Sequence, residues 1–525
     1  MSNTEARFLE NAARLLSQRN YREAHAACME ALRLNPQSAQ ALYLLGVLTA
    51  DHTNHAKAIE LFDRALALSP DNAVYLAERA RSRVALFDRE GALADARSAA
   101  RGTHSSARTL DTIGVVQSRL GLHADATVFF QRAVEDEPDN PSFLYNLGSA
   151  LQFVGDFNGA ETAFRKVLAI EPGHVRAWSS LVIMQRQTKE RNDIAALEAL
   201  FPKLTDADDM LHIGHALAKA SEDFGDADRA MKWLGEAKAP KRKTVAYDTC
   251  ETADLFAAAA DTVKSFTGPS TRATSDAPIF VVGLPRTGTT LVDRILSSHD
   301  QIVSAGELSD FALEVKRATR TSSPLVLDAE TLRAAIDVDL TAIGQSYLQR
   351  AHRVVGAAPC FIDKMPLNFF YAALILRALP NARIICLRRN PADTVLSNYR
   401  QLFATSFAYY SYAHDLEWTA DYYARFDELM AVCSSHLPPD RFIEVAYEDL
   451  VTNLETAARR LVAFCDLDWQ EQCLAFHKNA APVATASSTQ VRQPLYSTSM
   501  NRWRRYRDNL LPALDVLTAR GIRFD

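Results

Sequence analysis

The sequence predicts two architectures in one chain: an all-α repeat solenoid first, then an α/β domain built on a central parallel sheet. Three observations carry that reading. Small residues and prolines recur at a 34-residue step through the first third of the chain. From residue 278 onward, short β-rich runs alternate with helical segments. The first of those runs ends in a glycine-bounded turn that opens a helix, in "PIFVVGLPRTGTTLVDRIL" at 278–296.

A chain of 525 residues is too long for one ordinary core and suggests roughly three units of about 150 residues. With 48 % hydrophobic and 23 % charged residues it has the composition of a globular protein that folds throughout. The formal charge of -6 lacks the basic excess of a nucleic-acid or membrane-surface binder, so nucleic acid is not an expected partner. Seven cysteines are scattered without CxxC spacing, which argues against a zinc site or a disulfide framework and fits a reducing cytoplasm. The N-terminus lacks an apolar signal core and nowhere do 18 apolar residues run together, so neither secretion nor a transmembrane segment is expected.

The 34-residue ruler aligns Ala24, Ala58, Ala92, Ala126 and Ala160, then Ala31, Ala65, Ala99 and Ala133. Pro36 and Pro70, Pro138 and Pro172, and Gly46, Gly114 and Gly148 share the register. Each unit reads as two amphipathic helices, with a small residue where they approach closely and a proline closing the second. Five such units span 7–173, and the pattern resembles the tetratricopeptide repeat. An extra helix around Trp178 and Leu181 and a degenerate sixth unit around Gly214 and Ala230 extend the array over 174–240. The polar, basic "EAKAPKRKTVAYD" then breaks the pattern, so 241–277 is expected to be a linker and 278–525 the α/β domain. The resemblance implies a concave groove suited to a protein or peptide, with scaffolding or self-association the alternative.

Strands are expected at 278–283, 301–304, 359–363, 382–387 and 441–446. After the first strand, Gly283 and Gly288 keep the five-residue separation of a nucleotide-binding loop, but Thr289 stands where that loop carries lysine. Backbone N–H groups and the helix N-terminus still make a cradle for one phosphate, whereas triphosphate hydrolysis, and with it a kinase reading, loses its support. The loop resembles the 5′-phosphosulfate-binding loop of sulfotransferases, which grips 3′-phosphoadenosine-5′-phosphosulfate (PAPS). That resemblance implies contacts from Pro285, Arg286, Thr287, Gly288, Thr289 and Thr290.

A second cluster sits in "ARIICLRRNPADTVLSNYRQ", where Ser397 follows Arg389 by eight residues, as in the family's 3′-phosphate site. The resemblance spans about 278–510 and is nearest to the tyrosylprotein branch. It places Tyr447 of "EVAYEDLV" against the nucleotide, with Glu448 and Asp449 capping the next helix. It places Ser488 and Arg502 of the tail near the phosphates, although that branch commonly has lysine at the position of Arg502. Arg504, Arg505 and Arg507 read as a solvated basic face.

Sulfuryl transfer needs a base for the acceptor hydroxyl and cations for the departing phosphate. Glu307 in "VSAGELSDF" matches the family's catalytic glutamate. His299 in "LSSHDQ" is the competing base, though helix capping explains it. Lys364 in "FIDKMPLNF" matches the lysine that holds the sulfuryl group, Arg286 adds a second cation, and Asp363 reads as a partner for Lys364. No metal is expected, because fixed cations and amides neutralise the leaving phosphate. The implied activity is PAPS-dependent sulfation of an acceptor hydroxyl, foremost a tyrosine of a protein or peptide held by the repeats. A glycan, lipid or small-molecule hydroxyl, or an inactive peptide-binding scaffold, are the alternatives. The sequence does not determine the oligomeric state.

Overall fold

Capping side chains and prolines at the 34-residue step define the first helices. In the computed structural model, which describes residues 3–101, 106–269, 276–405, 407–479 and 499–525, the chain forms two compact units, Met1–Gln187 and Thr188–Asp525. The first unit pairs Asn3–Ser17 with Tyr21–Leu34, Ala39–Asp51 with His55–Leu68, and Ala73–Ala85 with Arg89–Ala100. Ala107–Arg119 then pairs with His123–Asp136, Pro141–Val154 with Phe157–Ile170, and the helix Val175–Met184 follows. Asn72, Ser106, Asn140 and His174 keep the 34-residue spacing, and each accepts a hydrogen bond from a first-turn amide of its helix. Pro36, Pro70, Pro138 and Pro172 each stand two residues beyond a second helix, where the chain must turn.

Packing within the pairs is governed by volume compensation. A Cβ on Gly46, Gly114 or Gly148 would lie 2.5, 2.6 or 2.8 Å from the ring of Phe62, Phe130 or Phe164, sixteen residues further on. Where the first position holds alanine instead, as at Ala12 and Ala80, the matching partner shrinks to Cys28 and Ala96, and all four are buried. At these crossings the large partner therefore appears opposite glycine, and alanine in the first position stands opposite a small one.

The second unit is a three-layer α/β/α structure. Its five strands, β1 (Ile279–Gly283), β2 (Val303–Ser304), β3 (Phe361–Asp363), β4 (Arg383–Arg388) and β5 (Phe442–Ala446), form one sheet in the order β2-β3-β1-β4-β5. Every pairing is parallel. Both faces are covered, so the strands are continuous apolar runs whose alternate residues enter different cores. Phe280, Val282, Ile384 and Cys386 join one cluster, while Ile279, Val281, Ile385 and Leu387 join the other. No helix among the described residues is long and apolar enough to cross a membrane.

The stretch expected as a linker is largely helical. The helix Ala227–Thr244 runs through Pro240, and a further helix occupies Thr249–Lys264. Tertiary contacts override the polar composition: Lys238 is buried and donates to Ala413 O at 2.9 Å. Phe256 packs edge-on against Tyr422, with ring centroids 5.0 Å apart. The sixth helix pair, Ala207–Asp223 and Ala227–Thr244, lies beyond the division at Gln187 and shares its apolar core with the sheet domain.

Substituting Gly114→Val should destabilise the repeat unit by about 1–3 kcal/mol, because the new methyls enter the Phe130 ring. Combining Gly114→Ala with Phe130→Leu should recover most of the loss. A thermal melt unchanged by Gly114→Val would refute the compensation.

Candidate active site

Parallel pairing brings the C-terminal ends of all five strands to one edge, and the chain order reverses on either side of β1. Each end leads directly into a residue singled out from the sequence: Arg286 after β1, Glu307 after β2, Lys364 after β3, Arg389 after β4 and Tyr447 after β5.

The loop after β1 is held in a conformation few sequences adopt. Gly283 and Gly288 have φ of 143° and 110°, and Arg286 itself has φ of 68°. A non-glycine residue in that region is strained and needs surrounding support. Support comes from the loop's own carbonyls: Asn398 donates to Pro285 O at 2.8 Å, and Arg389 donates to Arg286 O at 3.1 Å. Thr287 donates its hydroxyl to Leu284 O at 2.7 Å. Thr289 and Thr290 are buried in the first turn of the helix Thr289–Leu296, the end at which a helix directs backbone N–H groups outward. Tyr447 closes over Gly288, where a Cβ would come 2.5 Å from the tyrosine ring.

Arg389 is the hub of the second cluster. Its guanidinium donates to Ser397 Oγ at 3.4 Å and to Ser499 O at 2.5 Å, and stands 4.9 Å over the Tyr447 ring. Its Nε is buried without a partner, a donor left over after the protein's own contacts are made. Arg388 turns away, donating to Glu444 at 2.6 Å and pairing with Asp427, so only the second arginine faces the loop.

Glu307 and Lys364 meet as an ion pair in which Lys364 is 2 % exposed and Glu307 41 % exposed. Two backbone bonds fix that meeting: Ala305 N–H donates to Ile362 O and Lys364 N–H to Gly306 O, both at 2.8 Å. Asp363 does not pair with Lys364, as the sequence suggested. It is fully buried and accepts hydrogen bonds from Tyr347 Oη at 3.0 Å, Leu308 N–H at 3.3 Å and Met365 N–H at 3.1 Å. Asp363 thereby ties the Glu307 loop to the Lys364 strand end. Burial pushes its carboxyl up to about 7, against the downward pull of those hydrogen bonds.

Other residues take different stations. His299 is buried with both ring nitrogens engaged: Nε2 donates to Asp468 O at 2.9 Å, and Nδ1 accepts Gln301 N–H at 3.2 Å. Glu448 reaches across to accept Asn390 N–H at 2.9 Å rather than serving its own helix. Arg502 faces Glu222 at 3.3 Å. Arg504 and Arg507 flank the ring of buried Trp503 at 5.9 Å each, and Arg505 donates to Gly225 O. Ser488 lies outside the described residues. Sequence reasoning missed Ser499, whose hydroxyl pairs with Tyr447 Oη at 2.8 Å, and Asp393, which accepts Trp503 N–H at 2.8 Å. It missed Asn398 as well, though its position beside Ser397 was a usable signal. Among the described residues, no cluster of three or more His, Cys, Asp or Glu is arranged to hold a metal.

Fold and site together define a parallel α/β domain with a glycine-bounded loop after its first strand, following a helical repeat array along the chain. Residues 278–471 match the model of the Sulfotransferase family, and residues 9–73 and 141–174 match tetratricopeptide repeat models. The chain thus carries a sulfotransferase-family domain and tetratricopeptide repeats. An uncharacterized protein of Aquifex aeolicus is 32 % identical over 410 residues, covering 75 % of this chain and 52 % of that one. A protein-tyrosine sulfotransferase of Drosophila melanogaster is 26 % identical over 43 % of this chain and 46 % of its own length. A putative protein-tyrosine sulfotransferase of Caenorhabditis briggsae is 24 % identical over 46 % of this chain and 88 % of its own. The chain therefore spans about half the length of the first two. Among solved structures, a tetratricopeptide repeat protein from Parabacteroides merdae aligns with a TM-score of 0.34 and 16 % identity, over 47 % of this chain and 95 % of that one.

The raised carboxyl of Asp363 has a consequence for stability. An unfolded aspartate titrates near about 3.9, so the folded state holds this proton more tightly, and the resulting stabilisation is full below that value and lost as pH rises toward about 7. The slope should reach about 1.4 kcal/mol per pH unit in that window. Chemical denaturation of Asp363→Asn across the same window should show that component removed; an identical slope in both proteins would exclude Asp363 as its source.

Proposed function

We propose that the second unit is a PAPS-dependent sulfotransferase acting on an acceptor hydroxyl, foremost a tyrosine of a protein or peptide engaged by the repeats. The observation that carries this reading is the convergence, on one sheet edge, of a lysine-free phosphate turn, the Arg389–Ser397 pair and the Glu307–Lys364 pair. The fit to the nucleotide rests on the strained loop at Gly283–Gly288 and on the unpartnered, buried Nε of Arg389.

Pro285 to Thr290 would hold the 5′ end of the nucleotide, with Arg389 and Ser397 holding its 3′-phosphate and Tyr447 beside it. PAPS, when bound, supplies an activated sulfuryl group on a phosphate oxygen. Glu307 takes the proton of the acceptor hydroxyl on its exposed carboxylate oxygen, freeing the oxygen to bond to sulfur. Lys364, already beside Glu307, and Arg286 hold the negative charge that gathers on the phosphate side as the sulfur–oxygen bond there breaks. His299, with both ring nitrogens committed to backbone partners, is the less available candidate for that role. Tyrosine is favoured as acceptor by the similarity to proteins named protein-tyrosine sulfotransferases, and a protein or peptide by the repeats. The free state of all seven cysteines supports a reducing, cytoplasmic setting.

Calorimetric titration with 3′-phosphoadenosine 5′-phosphate should show tight binding that ADP does not match, and Arg389→Ala should abolish the preference. Absence of binding to the folded wild type would overturn the enzyme reading and leave the repeat scaffold. Glu307→Gln should lower turnover by about 10²- to 10⁴-fold with nucleotide affinity little changed; wild-type turnover in that variant would remove Glu307 as the base.

A further inference from the structure

Glu222 closes the helix Ala207–Asp223, in the sixth helix pair, 167 residues before Arg389 in the sequence. Its side chain is 12 % exposed and gathers three donors from two separate elements. Arg400 grips it with Nε and Nη2 in a bidentate pair. Tyr506 donates its hydroxyl at 2.8 Å, and the Arg502 guanidinium stands 3.3 Å away.

Those donors belong to the two elements that flank the Arg389 cluster. Arg400 caps the helix Pro391–Tyr399, which carries Ser397 and, through Asn398, holds the carbonyl of Pro285. Arg502 and Tyr506 bound the turn that follows Ser499, whose carbonyl and hydroxyl receive Arg389 and meet Tyr447. Asp393 and Trp503 join the same two elements directly, and Arg505 adds a bond to Gly225 O. A buried carboxylate with a bidentate arginine and further donors holds a geometry more tightly than an exposed pair.

We infer that Glu222 is a positioning residue for the 3′-phosphate end of the nucleotide site, acting from the repeat-like helix pair through Arg400, Arg502 and Tyr506. Burial pushes its carboxyl up, but the charges of Arg400 and Arg502 outweigh this and hold it below the ordinary range, so it stays ionised at neutral pH. The inference rests on the nucleotide reading above.

The test compares the full-length wild type with Glu222→Gln and the milder Tyr506→Phe. Each is titrated with 3′-phosphoadenosine 5′-phosphate and with adenosine 5′-phosphate, which lacks the 3′ group. Expected is a drop of roughly 3- to 30-fold in the preference for the 3′-phosphorylated nucleotide in Glu222→Gln, a smaller drop in Tyr506→Phe, and unchanged affinity for adenosine 5′-phosphate. A general loss of structure would weaken both ligands alike and would count against the positioning role. Unchanged preference in both variants overturns the inference while leaving the enzyme reading intact. A wild type without any preference overturns both. Should Glu222→Gln lack a cooperative melt, Tyr506→Phe decides by the same criterion.

Discussion

Everything at the candidate site depends on parallel strand pairing. In an antiparallel sheet, neighbouring strands would send their C-terminal ends to opposite edges and scatter the five residues that follow them. Here β1 lies between β3 and β4, so the loop after β1 opens at the reversal of strand order, with Lys364 on one side and Arg389 on the other. The proposed tasks divide along the same line: the Glu307–Lys364 pair comes from the β2 and β3 ends, and the Arg389–Tyr447 cluster, proposed for the nucleotide, from the β4 and β5 ends. The sheet can do this because both its faces are sealed by apolar layers, leaving only its edge to bear polar groups.

Holding charged groups at such an edge requires partners beneath them. Lys364 is almost fully buried and meets a carboxylate, which offsets the cost of taking an ammonium out of water. The carboxylate's loop is in turn held by Asp363, whose own desolvation is only partly offset by its hydrogen bonds. The same hierarchy repeats across the sheet. Arg286 adopts a left-handed backbone, its carbonyl is secured by Arg389, and Arg389 is secured by Ser499 and Ser397. Each of these charged positions thus rests on a neighbour that fixes its backbone or its loop.

Much of this was legible in the sequence, and the reason differs by element. The five strands stand within two residues of their expected limits because buried apolar runs bounded by turns leave few alternative readings. The repeats were legible because the step fixes caps, small residues and prolines together. The helix Thr249–Lys264 was hidden because its alanine-rich stretch follows a basic run that imitates a linker, and only burial against Phe370 and Tyr422 reveals its place. The residues at strand ends could be named from the sequence because a motif anchors them. Asp363 was named with a different partner, and Asp393, Ser499 and Glu222 were not named, because each acts on backbone amides or on side chains distant in sequence, and no spacing rule links such partners.

The sixth helix pair shows how a repeat-like unit can become part of a sheet domain. Its glycine–alanine crossing, where a Cβ on Gly214 would meet Ala237 Cβ at 2.2 Å, follows the same close-packing logic as the earlier pairs. Besides Arg229 on Glu198 and Trp233 against Phe201, its polar contacts gather on the segment 400–415 and the turn near 505. Glu222 holds Arg400, Asp208 accepts the Thr405 hydroxyl at 2.9 Å, Lys238 reaches Ala413 O, and Arg242 pairs with Asp415 at 2.5 Å. Four polar ties along sixteen residues leave that segment little freedom to move without the pair. Lys238 makes the dependence sharpest: burial lowers its ammonium to about 7, a cost the fold accepts in order to place one donor on one carbonyl. A pair serving only to extend a solenoid would have no need of a buried lysine there. The pair is better understood as a wall of the sheet domain built from repeat geometry, and this explains why the chain divides before it, at Gln187.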